Sequence, residues 1–137
     1  MIDNKVHPFV PLPSNPSNHT VVILGASSKI ERYANMAQKE LTIRGYHVIP
    51  VHPKIPKIYG ITVVPELHTI TQPVHTLTMY IGASRSEPLL EDILKIQPSR
   101  VIFNPGSESL MLETQLQQQN IMVIRACTLV LLRTQQF

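Results

Sequence analysis

Apolar and polar positions fall into blocks along the chain from residue 20 onward, and the blocks alternate between two kinds. Val21-Val22-Ile23-Leu24 is an unbroken, mostly β-branched apolar run that ends in Gly25. A short run with no polar position predicts a strand covered on both faces, as in a parallel sheet under helices. After a polar turn, Ala34, Ala37 and Leu41, with Met36 and Ile43, recur at helical spacing and predict a helix over Tyr33–Arg44 that Gly45 stops. His47–Val51 predicts a second strand and Thr76–Ile81 a third. Ser86–Ile96 predicts a helix with Ser86 at its N-cap and Glu87 and Pro88 just inside. Arg100–Asn104 predicts a fourth strand, and Glu108–Gln119 a helix capped by Ser107 and Glu108, with Leu110, Met111, Leu112 and Leu116 as its core contacts. Met122–Ile124 predicts a fifth strand, Cys127–Thr134 a short last helix, and residues 61–64 a brief edge strand.

Strands that alternate with helices imply right-handed βαβ units. The expected fold is therefore α/β: a Rossmann-like open parallel sheet of about five strands, with helices on both faces, in a single domain. In such sheets a ligand lies beyond the carboxyl ends of the strands, where the strand order reverses. That directs attention to the loops at 25–32, 51–60, 81–86 and 104–108. With 137 residues the chain has room for one domain, expected over residues 20–137. Residues 1–19 carry Pro8, Pro11, Pro13 and Pro16 without periodicity and read as an extended or disordered arm.

Composition narrows the function classes. The single cysteine, Cys127, excludes an intramolecular disulfide framework and a Cys-rich zinc module. No tryptophan and an aromatic content of 5% speak against a base-stacking platform, and a net charge of +3 is too mild for nucleic acid. No apolar run approaches the length of a membrane helix, and the start of the chain lacks the apolar core of a signal peptide, so the expected location is the cytoplasm. The charge is unevenly spread. Residues 25–60 hold six basic against two acidic side chains, whereas residues 86–119 hold two basic against five acidic. The first half is where an anionic ligand would be welcome.

The loop Gly25-Ala26-Ser27-Ser28-Lys29 follows the first strand. Gly25 permits a tight turn, and small residues leave backbone N–H groups free to face an anion at a helix start. Two hydroxyls and an ammonium add donors. The dinucleotide fingerprint G-x-G-x-x-G is not met, because Ser27 and Ile30 stand where its second and third glycines belong. The second strand ends Val51-His52-Pro53-Lys54, without the acid that accepts ribose hydroxyls. A lysine there suits a phosphate on the ribose, which leaves NADP or an adenosine ligand with a 3′-phosphate, such as coenzyme A.

The series Gly25-Ala26-Ser27-Ser28-Lys29, Glu31-Arg32-Tyr33-Ala34-Asn35, Gly45-Tyr46-His47-Val48-Ile49-Pro50-Val51, Val101-Ile102-Phe103-Asn104-Pro105-Gly106 and Cys127-Thr128-Leu129-Val130-Leu131-Leu132 resembles the stand-alone CoA-binding domain proteins. These are related to the nucleotide-binding domain of the succinyl-CoA synthetase alpha subunit. The resemblance covers residues 20–137. It implies that Ser27, Ser28 and Lys29 lie along the CoA pyrophosphate, with Gly25, Ala26 and Tyr33 also among the cofactor-binding residues, and that His52, Pro53 and Lys54 border the adenosine, with Lys54 near the 3′-phosphate. It further implies that Tyr80, Ile81 and Gly82 form a wall beside adenine or pantetheine, and that Asn104, Pro105 and Gly106 close the crevice. Ser28 stands where the synthetase relatives have glycine, and Gly82-Ala83-Ser84 replaces their proline-rich third loop. CoA ligases keep their phosphorylated histidine in a further domain, for which this chain has no residues left.

The reactive side chains add little chemistry. Of the six histidines none makes an H-x-x-x-H or H-E-x-x-H pair, so no metal site is expected. His52 stands out only because its loop borders the ligand. Cys127 reads as a small buried residue at a helix start, with a mixed disulfide to the CoA thiol as the sharper alternative. No catalytic residue is named. The expected function is binding of CoA or acyl-CoA without transfer chemistry. Two other classes stay open: an NADP- or nucleotide-sensing regulatory module that docks on a protein partner or a second copy through the Pro-rich arm, and a small acyl-CoA-using enzyme.

Overall fold

The computed structural model describes residues 12–137. The first eleven residues of the expected arm, with Pro8 and Pro11, lie outside the described residues. The rest of that segment contains a 3-10 turn at Pro16–Asn18, where Asn15 Oδ1 accepts the Ser17 N–H at 3.0 Å, and His19 behind it is buried.

Five parallel strands form the sheet: β1 (Thr20–Leu24), β2 (His47–Val51), β5 (Thr76–Met79), β6 (Arg100–Phe103) and β7 (Met122–Arg125). Their order is β2-β1-β5-β6-β7. Two further strands, β3 (Lys57–Ile58) and β4 (Ile61–Thr62), make a separate antiparallel hairpin. This corrects the edge strand expected at 61–64. Only Val64 reaches the sheet, through a bridge to Val51. The helices are α1 (Tyr33–Ile43), α2 (Ala83–Ser86), α3 (Leu90–Ile96), α4 (Leu110–Gln118) and α5 (Thr128–Arg133).

The strand pleat divides the apolar residues between two layers. Val22, Leu24, Ile49, Val51, Leu77, Met79, Val101 and Phe103 meet Ile93 of α3 and Leu112 and Leu116 of α4. Val21, Ile23 and Val48 point the other way, against Ala34 and Leu41 of α1 and Leu132 of α5. Each fully buried side chain of this size stabilises the fold by about 1.5–3 kcal/mol relative to exposure. Pro50 sits in β2 without cost to the ladder because β2 is an edge strand.

Two helix starts differ from the expectation. The helix after β5 begins at Ala83 directly after Gly82, so Ser86 is its last residue; Ser86 also stands at the N-cap position of the turn that follows, but its hydroxyl makes no capping bond there and donates to the Ala83 carbonyl. Pro88 then falls in a 3-10 turn at Glu87–Leu89 that separates α2 from α3. Helix α4 begins at Leu110 and is capped by Ser109, whose Oγ accepts the Leu112 N–H at 3.1 Å, while Glu113 Oε2 accepts the Ser109 N–H at 3.1 Å. Ser107 and Glu108 serve the turn before it: Ser107 Oγ donates to the Asn104 carbonyl and Glu108 Oε1 accepts the Gly106 N–H. Leu110 and Met111 are exposed and not core contacts; only Leu112 and Leu116 are buried.

Candidate functional site

The chain crosses from β1 through α1 to β2 on one side, and from β2 back past β1 to β5 on the other. The order therefore reverses between β1 and β5, and their carboxyl ends define the crevice. Gly25 closes β1 with φ +96°, and a Cβ there would lie 2.7 Å from Ile81 Cγ2 and 3.1 Å from the Tyr80 carbonyl carbon. Only glycine satisfies both the left-handed backbone and this close approach. The Gly25 and Ala26 N–H groups both donate to the Val51 carbonyl, which ties the loop to β2.

Beyond Gly25 the loop is held from below. Asn35 Nδ2 donates to the Ser27 carbonyl at 2.8 Å, and the Tyr59 hydroxyl at the hairpin tip donates to Asn35 Oδ1. Gln38 Nε2 donates to the Ile58 carbonyl, pinning the same hairpin to α1. Helix α1 starts at Tyr33 with no side-chain cap and no acid in its first turn. The Arg32 N–H donates to the Lys29 carbonyl and the Asn35 N–H to the Arg32 carbonyl, which leaves the Tyr33 and Ala34 N–H groups and the positive end of the dipole beside the loop.

Two lobes open here. The larger, of about 470 Å³, is lined by the whole Gly25–Lys29 loop, Arg32, Tyr33, His52, Tyr80, Arg85 and Pro105 among others. Among the described residues its lining carries the cations Lys29, Arg32 and Arg85 and no carboxylate. The smaller lobe, of about 370 Å³, is mainly apolar, with Pro53, Pro65, Leu67 and Leu89, and has Glu66, His68 and Asp92 in its wall. Gly25, His52, Ile81 and Arg85 line both lobes, so the two meet there.

His52 Nδ1 accepts the N–H groups of Lys54 at 3.0 Å and Ile55 at 3.3 Å. Its proton is thus on Nε2 when neutral. Burial, then the charges of Arg85 and Lys54, hold its pKa below the ordinary value. Burial pushes the Tyr80 phenol up to about 12, against the opposing effect of the Thr128 and Thr78 hydroxyls. Cys127 is partly buried at the start of α5, close enough to Tyr80 to influence that phenol.

Of the residues singled out from the sequence, Gly25, Ala26, Ser27, Ser28, Lys29, Tyr33, His52, Tyr80, Ile81 and Pro105 line the larger lobe, and Pro53 lines the smaller. Lys54, Gly82, Asn104 and Gly106 line neither. Asn104 is buried beneath the crevice. Its Nδ2 donates to Thr78 Oγ1 and the Met79 carbonyl, and its Oδ1 accepts the Thr128 N–H. The sequence reading passed over Arg85, although it lies in a strand-end loop already marked, and over Glu66, His68 and Asp92. His68 lies 3.3 Å from Glu66 and 3.7 Å from Asp92. Among the described residues no cluster of three or more His, Cys, Asp or Glu side chains is arranged to hold a metal ion. Nor is any described helix long and apolar enough to cross a membrane.

The chain is 25% identical over 75 residues to the uncharacterized protein YneT of Bacillus subtilis, a match that spans 55% of this chain and 56% of that protein. A solved structure of an uncharacterized protein superposes with a TM-score of 0.83 at 36% identity, covering 87% of this chain and 98% of the other. Protein ID.343 from Thermus thermophilus superposes with a TM-score of 0.79 at 26% identity, over 87% and 90% of the two chains. Residues 19–133 match the CoA binding domain family, and with the match running from the start of β1 to the end of α5 the chain belongs to that family.

Proposed function

We propose that this protein binds coenzyme A or an acyl-CoA, and that its role is to hold the ligand. The observation that carries the reading is the larger lobe: three cations, no carboxylate and an uncapped helix start, at the point where the strand order reverses. The diphosphate lies along the Gly25–Lys29 loop. The adenosine occupies the apolar lobe bordered by His52, Pro53 and Ile81, with Lys54 near the 3′-phosphate at its exposed edge. Tyr80 and Pro105 flank the pantetheine arm. Holding the ligand without transforming it agrees with the state of His52, whose Nδ1 is engaged by two backbone N–H groups.

A thermal-shift panel of CoA, acetyl-CoA, NAD, NADP and ADP tests this, since a ligand that binds only the native state raises the melting temperature. CoA and acetyl-CoA are expected to give the largest and similar shifts. A larger shift with NADP than with CoA would overturn the assignment in favour of a dinucleotide.

A further inference from the structure

We propose that Arg85 is the diphosphate-clamping residue of the site, reaching the ligand from a different element than the Gly25–Lys29 loop; the inference rests on CoA being the ligand. Three observations carry it. Among the described residues Arg85 is the only arginine or lysine that lines both lobes, so a ligand that spans them passes it. It comes from α2, which follows β5, whereas the loop donors come from the β1–α1 connection. The two sets of donors thus reach the crevice from different elements, after neighbouring strands.

The third observation is that Arg85 has no ion-pair or side-chain hydrogen-bond partner among the described residues. The arginines of this protein divide into two groups. Arg44 and Arg133 bond to Glu40 and Arg125 bonds to Glu113, while Arg100 is buried with its Nε on Thr76. Arg85 and Arg32 have no ion pair among the described residues, and both face the crevice. Asp92 and Glu66 share the smaller lobe with Arg85, yet within 4.0 Å they face His68. The guanidinium is left with its fork of donors free at the junction of the lobes. That geometry matches two neighbouring phosphate oxygens and a lysine would not reproduce it.

Arg85 is exposed, so its replacement leaves the core intact. Isothermal titration would compare wild type, Arg85→Gln and the charge control Lys95→Ala against CoA, dephospho-CoA and adenosine 3′,5′-bisphosphate. Arg85→Gln is expected to weaken CoA and dephospho-CoA by the same factor, roughly 10- to 100-fold, the range for a lost charge-assisted contact. The bisphosphate, which lacks a diphosphate, loses several-fold less, and Lys95→Ala binds all three as wild type does. No loss, an equal loss on all three ligands, or a loss on CoA and the bisphosphate that spares dephospho-CoA would each overturn the clamp, the last by moving Arg85 to the 3′-phosphate. Wild type that fails to bind CoA removes the proposed function itself, a result distinct from any of these.

Discussion

The two ends of the sheet carry similar chemistry in opposite states. At the carboxyl end, Lys29, Arg32 and Arg85 face an open crevice without carboxylates. At the amino end, Arg100 is 4% exposed, its Nε donates to Thr76 Oγ1 at 2.8 Å, and its guanidinium lies 4.3 Å from the centre of the Phe137 ring. That ring belongs to a cluster in which His19 packs on Tyr46, His75 and Phe137, and Tyr46 on Phe137, edge to face and stacked. One end therefore leaves its cations at an open crevice, and the other buries its cation against a hydroxyl and an aromatic ring, with Arg100 Nη2 left without a hydrogen-bond partner among the described residues. A cation count along the sequence makes no such distinction. What separates them is whether the fold supplies hydroxyls and aromatic rings around the charge.

The comparison breaks most visibly at Gly25. Gly25→Ala combines a left-handed backbone with a Cβ driven against Ile81 and the Tyr80 backbone, and should cost about 2–5 kcal/mol. Chemical denaturation would measure it, and CoA affinity should fall as well because the loop must move. An alanine variant of wild-type stability and affinity would mean that the close approach does not fix the loop.

At the amino end the expected lever is pH. Thr76 Oγ1 accepts from Arg100 Nε at 2.8 Å and is hydrogen-bonded to His19 Nε2 at 2.7 Å, the roles in the second bond following the imidazole tautomer. Burial, then the charges of Arg100 and His75, lower the His19 pKa from 6.5 to about 4. The folded value lies below the unfolded one, so this stability is complete above pH 6.5 and is lost as pH falls through about 4. The loss is at most about 3 kcal/mol. Denaturation from neutral pH downward should show this slope in wild type and a shallower one in His19→Gln. Equal slopes would show that the imidazole is not the acid-sensitive group. Thr76→Val keeps the shape but leaves both partners unpaired, and should cost about 2 kcal/mol without touching CoA affinity. A change in affinity would mean that the two ends of the sheet are coupled.

The fold was legible because each central strand is a run of apolar, largely β-branched residues with no competing pattern, as in Val21–Leu24 and Val101–Phe103. Helix starts were less so. Pro88 suits a first helical turn, and its presence pointed to a start at Ser86; the chain instead begins α2 at Ala83 and spends Pro88 on the 3-10 turn. Ser107 and Ser109 are equally good caps by composition. Ser109 wins because Gly106, at φ +92°, turns the chain and engages Ser107 and Glu108 in that turn. For the site, the loop after β1 could be read locally, since its chemistry lies in consecutive residues. Glu66 and His68 come from a segment with no periodicity, and only the fold brings them beside Leu89 and Asp92.

Lys54 is the smallest and sharpest test of the open end. It follows Pro53, a wall residue of the apolar lobe, but is itself exposed and lines neither lobe. Its backbone N–H is fixed on His52, so the side chain starts from a defined point at the lobe's edge. A charge in that position gains from a 3′-phosphate only through solvent, which limits the pair to about 1 kcal/mol and makes it sensitive to salt. Lys54→Ala should therefore weaken CoA several-fold at low ionic strength, lose that effect as salt rises, and leave dephospho-CoA unchanged. Equal losses for the two ligands would refute the 3′-phosphate contact. The contrast with Arg85 then becomes quantitative: a cation at the junction of the lobes should act on every diphosphate ligand, and a cation at the rim only on the ligand with the extra phosphate.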